Sequence, residues 1–260
     1  MNGILLVASV YKPYLTSAQM LADSIKEYSN IPITLFTIDE WKNDAGNHVF
    51  DNVVSGAPPS KRAKLWALPQ TPYEITCYID ADMLCQSAAI KTIFSLIEDN
   101  DIVFTKIRPY AAAKIWWKGV TQSHPHGGFF LYRNNKKTLS FMREWWDNWL
   151  WFRQNKMTER WKPLYHPLDI QEWDQFPLGL MLGVNDKDDP WYRPDIKWDY
   201  IKGKDCIYNY IHVYDRIVER VKEEDIILRE VKTPLFNRIH QFHREFYHDE
   251  DSCYSTNNIK

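Results

Sequence analysis

Residues 75–84 read Ile75-Thr-Cys-Tyr-Ile79-Asp80-Ala81-Asp82-Met83-Leu84, an apolar run that meets a pair of carboxylates and then turns apolar again. β-branched and aromatic side chains in a short run ended by acids predict a buried strand over Ile75–Ile79. As a bare pattern Asp-x-Asp says little, because the chain has four copies, at 80/82, 99/101, 186/188 and 249/251. Only the copy at 80/82 follows an apolar strand and precedes an apolar pair, Met83-Leu84.

Outward from this stretch, strand-like runs recur at Ile4–Val10, Ile33–Ile38 and Asp101–Ile107. Helical patterns separate them. Thr16 or Ser17 is placed to cap a helix carrying Ala18, Leu21, Ala22, Ile25 and Tyr28 at the 3.6-residue period, which Asn30-Ile31-Pro32 stops. Lys42–Pro59 reads as a long loop, Ser60 as the cap of a short helix through Leu68, and Ser87–Ile97 as another helix. This β-α-β-α-β order predicts an α/β fold with a mostly parallel central sheet flanked by helices. Carboxylates at the carboxyl end of a central strand stand where open α/β sheets bind ligands. Unpaired there, Asp80 and Asp82 would repel each other and lose solvation, so a cation is their natural partner. Hard oxygen ligands favour Mn²⁺ or Mg²⁺ over zinc, and such an ion bridges phosphate oxygens and stabilises a departing diphosphate.

The remaining chain is less regular. Gly128–Tyr132 predicts a strand, and a helix from Thr138 to about Arg153 carries Met142, Trp145, Trp146, Trp149 and Phe152 on one face, a core-packing stripe. Trp161–Tyr200 reads as loop, Ile207–Val213 as a short strand, Ile217–Val221 as a short helix, and 249–260 as a solvated tail.

Composition narrows the classes. With 260 residues and 45% hydrophobic side chains the chain can bury a core without staples. Its 32 basic against 34 acidic residues argue against a general nucleic-acid binder. Only 9 glycines occur, none in a dinucleotide or P-loop pattern. Cys77, Cys85, Cys206 and Cys253 have no C-x-x-C spacing and read as reduced thiols. No G-x-S-x-G elbow marks a hydrolase. No run approaches the ~20 apolar residues of a membrane span, and no leader opens the chain, so a cytoplasmic protein is expected.

Other stretches carry chemistry more weakly. Lys61, Arg62 and Lys64 alone form a solvated basic face; beside a metal–diphosphate site, phosphate contact is equally expected of Lys64. His126-Gly127-Gly128 leads into a strand, its glycines permitting a close backbone approach. Asp174-Gln175 precedes an apolar stretch, and His240 and His243 would share a helix face. His48, His166 and His212 have no such company.

The order of these motifs resembles the retaining glycosyltransferases of family eight, which include glycogenin and bacterial lipopolysaccharide glycosyltransferases. The resemblance implies a GT-A fold, a single catalytic domain over residues 1–248, and use of Mn²⁺ with a nucleotide-sugar donor, a UDP-sugar. Tyr14-Leu-Thr-Ser-Ala is similar to the family's nucleotide loop, Lys64-Leu65-Trp66 to its lysine helix, and Asp80-Ala81-Asp82 to its metal motif. His126-Gly127-Gly128-Phe129-Phe130 resembles its Asn-Ser-Gly strand, Asp174-Gln175 its Asp-Gln pair, and Ile207-Tyr208-Asn209 its Tyr-Asn segment. Ile239-His240 resembles its third metal ligand, in a segment without the family's usual glycine and lysine. By this likeness Asp80, Asp82 and His240, or else His243 or His212, would hold the metal. Ala8, Val10, Tyr11, Tyr14 and Asp39 would line the base and ribose pocket. Lys64, Asp80, Ala81 and His126 to Gly128 would meet the donor, with Asp174 and Gln175 as the catalytic pair and a glycan or other hydroxyl as acceptor. A non-catalytic carbohydrate-binding protein and a sugar-phosphate nucleotidyltransferase remain the alternatives.

Overall fold

The computed structural model describes residues 1–46, 49–106 and 125–154, together with 174, 177, 178, 181, 203–207, 210, 211 and 228–230. Strand β1 (Gly3–Ala8) leads into helix α1 (Pro13–Tyr28) and strand β2 (Ile33–Thr37). A 3₁₀ turn at Asp39–Trp41, helix α2 (Lys42–Ala45) and strand β3 (Asn52–Val54) follow. Helix α3 (Ala63–Ala67) precedes β4 (Ile75–Ile79), β5 (Met83–Cys85) and a 3₁₀ helix at Ala88–Ile97. Next come β6 (Ile102–Lys106), β7 (Pro125–Arg133) and helix α4 (Lys136–Gln154), then β8 (Gly203–Ile207), β9 (Tyr210–Ile211) and β10 (Leu228–Glu230).

The main sheet has seven strands in the order β3-β2-β1-β4-β7-β6-β8. Only β7 runs against its neighbours; every other pairing in this sheet is parallel. The mostly parallel α/β sheet predicted from the sequence is therefore present. Strands β5, β10 and β9 form a second, smaller sheet.

Alternation along each strand divides the core between the two faces of the sheet. Ile4, Leu6 and Ala8 of β1, with Cys77 and Ile79 of β4, pack with α1 and the 3₁₀ helix. Leu5, Tyr78, Phe130 and Tyr132 pack on the opposite side with α3 and α4. There Phe141, Met142, Trp145 and Trp149 are fully buried, so Met142, Trp145 and Trp149 of the predicted stripe are core; Trp146 is half-buried against them, and the Phe152 side chain lies outside the described residues. Cys77 and Cys85 are buried free thiols, as expected of them.

Several predicted boundaries move for local reasons. Helix α1 starts at Pro13, whose fixed φ suits a first helical position, and not at a Thr16 or Ser17 cap. Ser17 is buried within the helix instead. The loop predicted over Lys42–Pro59 contains α2 and β3, the latter extending the sheet through Leu35–Val53 pairing. The helix predicted over Ser87–Ile97 is 3₁₀, with Ile90 and Ile93 buried at a three-residue spacing, and Ser87 caps it by accepting the Ala89 N–H at 3.2 Å. Of the strand predicted over Ile207–Val213, Ile207 ends β8, which pairs with β6, and Tyr210–Ile211 form β9, which pairs with β10; its other residues lie outside the described residues. The helix predicted over Ile217–Val221 and the tail lie outside the described residues. Among the described residues, no helix is long and apolar enough to cross a membrane.

Candidate functional site

Parallel pairing of β1 and β4 brings their carboxyl ends to one edge of the sheet, and a cleft opens there. It is lined by Val7 and Ser9 from β1 and its exit, Tyr14 from α1, and Ser60 to Arg62 with Lys64 around the start of α3. Tyr78, Asp80, Ala81 and Asp82 complete it from β4 and the turn beyond. The cleft is open to solvent on one side.

The Asp-Ala-Asp turn is tied down on both sides. The Asp80 N–H donates to the Gly128 carbonyl at 2.7 Å, and the buried Ser17 hydroxyl donates to the Ala81 carbonyl at 2.6 Å. Tyr78 and Asp80 share a face because they are two residues apart on an extended chain. The Tyr78 hydroxyl donates to Asp80 Oδ1 at 2.6 Å. Burial, reinforced by the charge of Asp80, pushes this phenol well above its ordinary range, so it remains a donor.

Lys64 stands at the centre of the network. It is 5% exposed, so the solvated basic face is ruled out for this lysine. Its ammonium pairs with Asp174 Oδ2 at 2.7 Å, donates to the Gly127 carbonyl at 2.9 Å and approaches Asp80 Oδ1 at 3.4 Å. The Arg62 guanidinium reaches Asp174 Oδ1 at 3.2 Å. Burial alone would raise the Asp174 carboxyl, but Arg62 and Lys64 overcome it and hold the group at about 2. Trp145 Nε1–H donates to the Asp174 carbonyl at 2.7 Å, anchoring Asp174 to α4.

Of the residues singled out from sequence, Tyr14, Lys64, Asp80, Ala81 and Asp82 line this cleft together. Gly127 and Gly128 meet it through their carbonyls, and Asp174 sits against Lys64. Ala8 is fully buried in the core on the other side of the sheet, so it does not line the cleft; alternation presents its neighbours Val7 and Ser9. Asp39 is exposed at the start of the turn after β2 and is not among the lining residues. Tyr11 packs edge-on against Tyr14, ring centroids 6.2 Å apart. Val10 has φ of 60°, and the Tyr11 N–H donates to the Ser9 carbonyl at 2.7 Å, a tight γ-turn that ends β1 before residue 10. His126 lies on β7 opposite Thr105. Gln175, His240, His243 and His212 lie outside the described residues.

Sequence reasoning passed over Ser9, Ser60 and Tyr78. Only Tyr78 carried a signal, its two-residue spacing from Asp80. Ser9 and Ser60 meet through the fold: the Ser60 N–H donates to Ser9 Oγ at 3.3 Å.

Among the described residues no three His, Cys, Asp or Glu side chains gather as a metal site. Asp80 and Asp82 nevertheless offer hard oxygen donors on one cleft, and that donor chemistry fits a divalent cation such as Mn²⁺ or Mg²⁺.

No protein-family model matches the chain, and no curated protein matches it in sequence. Solved structures do match in fold. Glycosyltransferase GlyE of Streptococcus pneumoniae TIGR4 aligns at 14% identity with a TM-score of 0.56, over 90% of this chain and 56% of GlyE. Galactosyltransferase LgtC, in a complex with donor and acceptor sugar analogues, aligns at 13% identity with a TM-score of 0.53, over 90% of this chain and 88% of LgtC. The chain thus spans a little over half of GlyE and most of LgtC. What it shares with them is architecture: this is the GT-A glycosyltransferase fold that the sequence resemblance implies.

Proposed function

We propose that the chain is a metal-dependent glycosyltransferase that moves a sugar from a nucleotide-diphosphate donor, a UDP-sugar, to a glycan or other hydroxyl acceptor with retention. One observation carries this reading: the carboxylates of Asp80 and Asp82 share a single cleft with the ammonium of Lys64, on a GT-A sheet. Such a cleft suits a ligand that joins a divalent cation to a diphosphate.

Asp80 and Asp82 would hold Mn²⁺ or Mg²⁺, with a histidine such as His240 completing the set. The ion supplies Lewis-acid stabilisation of the leaving diphosphate. Tyr14 and the turn around Val10 and Tyr11 would border the nucleotide. Lys64 would place positive charge where the departing diphosphate accumulates negative charge, preorganised by Asp174 and the Gly127 carbonyl. Asp174, held at about 2, remains a carboxylate at neutral pH and is no general acid there. It would orient Lys64 and, with Gln175 and the His126 to Gly128 segment, border the donor sugar. The catalytic domain would extend over residues 1–248, with 249–260 as a tail.

The test is Mn²⁺-dependent binding and hydrolysis across a panel of nucleotide-sugars, with Asp82→Ala as control. Release of a nucleoside diphosphate from one donor, lost in the variant, is the expected result and names the donor. Failure to bind any donor, with or without metal, would overturn the reading and favour metal-independent glycan binding.

A further inference from the structure

Asp80 Oδ1 has two donors on it already. It accepts the Tyr78 hydroxyl at 2.6 Å and lies 3.4 Å from the Lys64 ammonium. Lys64 is 6% exposed through its side chain, whereas Asp80 is 31% exposed, so the lysine approaches the carboxylate from the protein side and the cleft side stays open to solutes. The ammonium is also shared: Asp174 Oδ2 lies at 2.7 Å and the Gly127 carbonyl at 2.9 Å. Its charge cannot be dispersed into solvent, and a dication brought to Asp80 would meet it at close range. A diphosphate changes that balance. It brings negative charge that both the ammonium and the cation can share, turning repulsion between them into a common attraction.

We propose that Lys64 makes cation binding at Asp80 and Asp82 depend on the nucleoside diphosphate: the lysine disfavours the metal alone and permits it once the diphosphate is present. This rests on the metal-dependent reading above and adds to it a binding order. Linkage makes the effect reciprocal, so the cation raises diphosphate affinity by the same factor. Asp174 sets the strength of the device, because it draws the ammonium away from Asp80.

The experiment is titration of Mn²⁺, followed by electron paramagnetic resonance of the free ion, with and without saturating UDP. It is run on the full chain and on Lys64→Gln, Lys64→Arg and Asp174→Asn, each checked for native near-ultraviolet circular dichroism. The unmodified chain binds Mn²⁺ weakly alone and far better with UDP. Lys64→Gln binds Mn²⁺ alone about tenfold tighter and shows a correspondingly smaller UDP effect, a decade being a modest change for one close like-charge contact. Lys64→Arg retains the UDP dependence. Asp174→Asn moves oppositely to Lys64→Gln, weakening binding of Mn²⁺ alone; the tightening in Lys64→Gln is the change that a merely structural loss does not produce. Equal Mn²⁺ affinities in Lys64→Gln and the unmodified chain, both bound, would overturn the coupling and leave the metal site standing. Absence of Mn²⁺ binding in the unmodified chain with UDP would overturn the metal site and the coupling together.

Discussion

Gly127 passes so close to Asp174 that a Cβ on the glycine would lie 2.7 Å from Asp174 Oδ2 and 3.4 Å from Lys64 Nζ. The bare backbone lets β7 bring its carbonyl to the Lys64 ammonium while Asp174 occupies the space a side chain would take. Gly127→Ala therefore forces a buried ion pair apart. It is expected to cost about 1–3 kcal/mol in urea unfolding, the usual range for overpacking, and to lower nucleotide-sugar hydrolysis. Wild-type stability and turnover would show that the pair relaxes freely and that the glycine is not required there.

Asp174 links stability to acid pH. Its carboxyl is held at about 2 against an ordinary 3.8, because Arg62 and Lys64 outweigh the cost of burial. A folded-state value below the unfolded one contributes stability above the unfolded value, and that contribution is lost as pH falls through about 4 towards 2. Its size is about 2 kcal/mol for a shift of this order. Unfolding free energies of the chain and of Asp174→Asn should converge by most of that amount between pH 6 and about 2.5. Parallel pH profiles would mean that Asp174 is not held in its charged form.

Trp145 couples the α4 core to the cleft. It is fully buried, packs against Phe104 and Phe130, and donates its indole N–H to the Asp174 carbonyl. Trp145→Phe keeps an aromatic ring but removes the donor and leaves a void, with an expected loss of about 2–3 kcal/mol. Hydrolysis should fall at substrate saturation as well, since Asp174 loses an anchor. A stability loss with unchanged turnover would assign the tryptophan to packing alone.

Val10 sits at φ of 60°, which a β-branched residue rarely adopts. The strain stands at the exit of β1, between cleft residues Ser9 and Tyr14. Val10→Gly relieves roughly 1–2 kcal/mol of it while freeing the unfolded chain by roughly 0.4–1 kcal/mol, so stability should stay within about 1 kcal/mol of the unmodified chain. Donor affinity should fall, because the turn loses its rigidity. A loss above about 2 kcal/mol would show that packing of the valine outweighs the strain.

Much of the architecture is local and could be read along the chain. Ile75–Ile79 is a strand because consecutive apolar residues must be covered on both faces, and Asp80 ends it because a carboxylate cannot continue into that core. The same reasoning located β1, β2 and the buried stripe of α4, and it marked Asp80 and Asp82 as partners for a cation. Contacts between distant segments were not legible. Lys61, Arg62 and Lys64 look alike in sequence, yet Lys64 is buried between Asp174 and Asp80. Nothing near Asp174-Gln175 announces that its carboxylate meets a short helix far upstream. Ala8 and Ser9 are neighbours, and only the handing of alternate residues to opposite faces sends one to the core and the other to the cleft. Hydrophobic pattern is a property of a segment and survives in sequence, whereas the pairing of buried charges depends on which segments pack together, and the fold alone decides that.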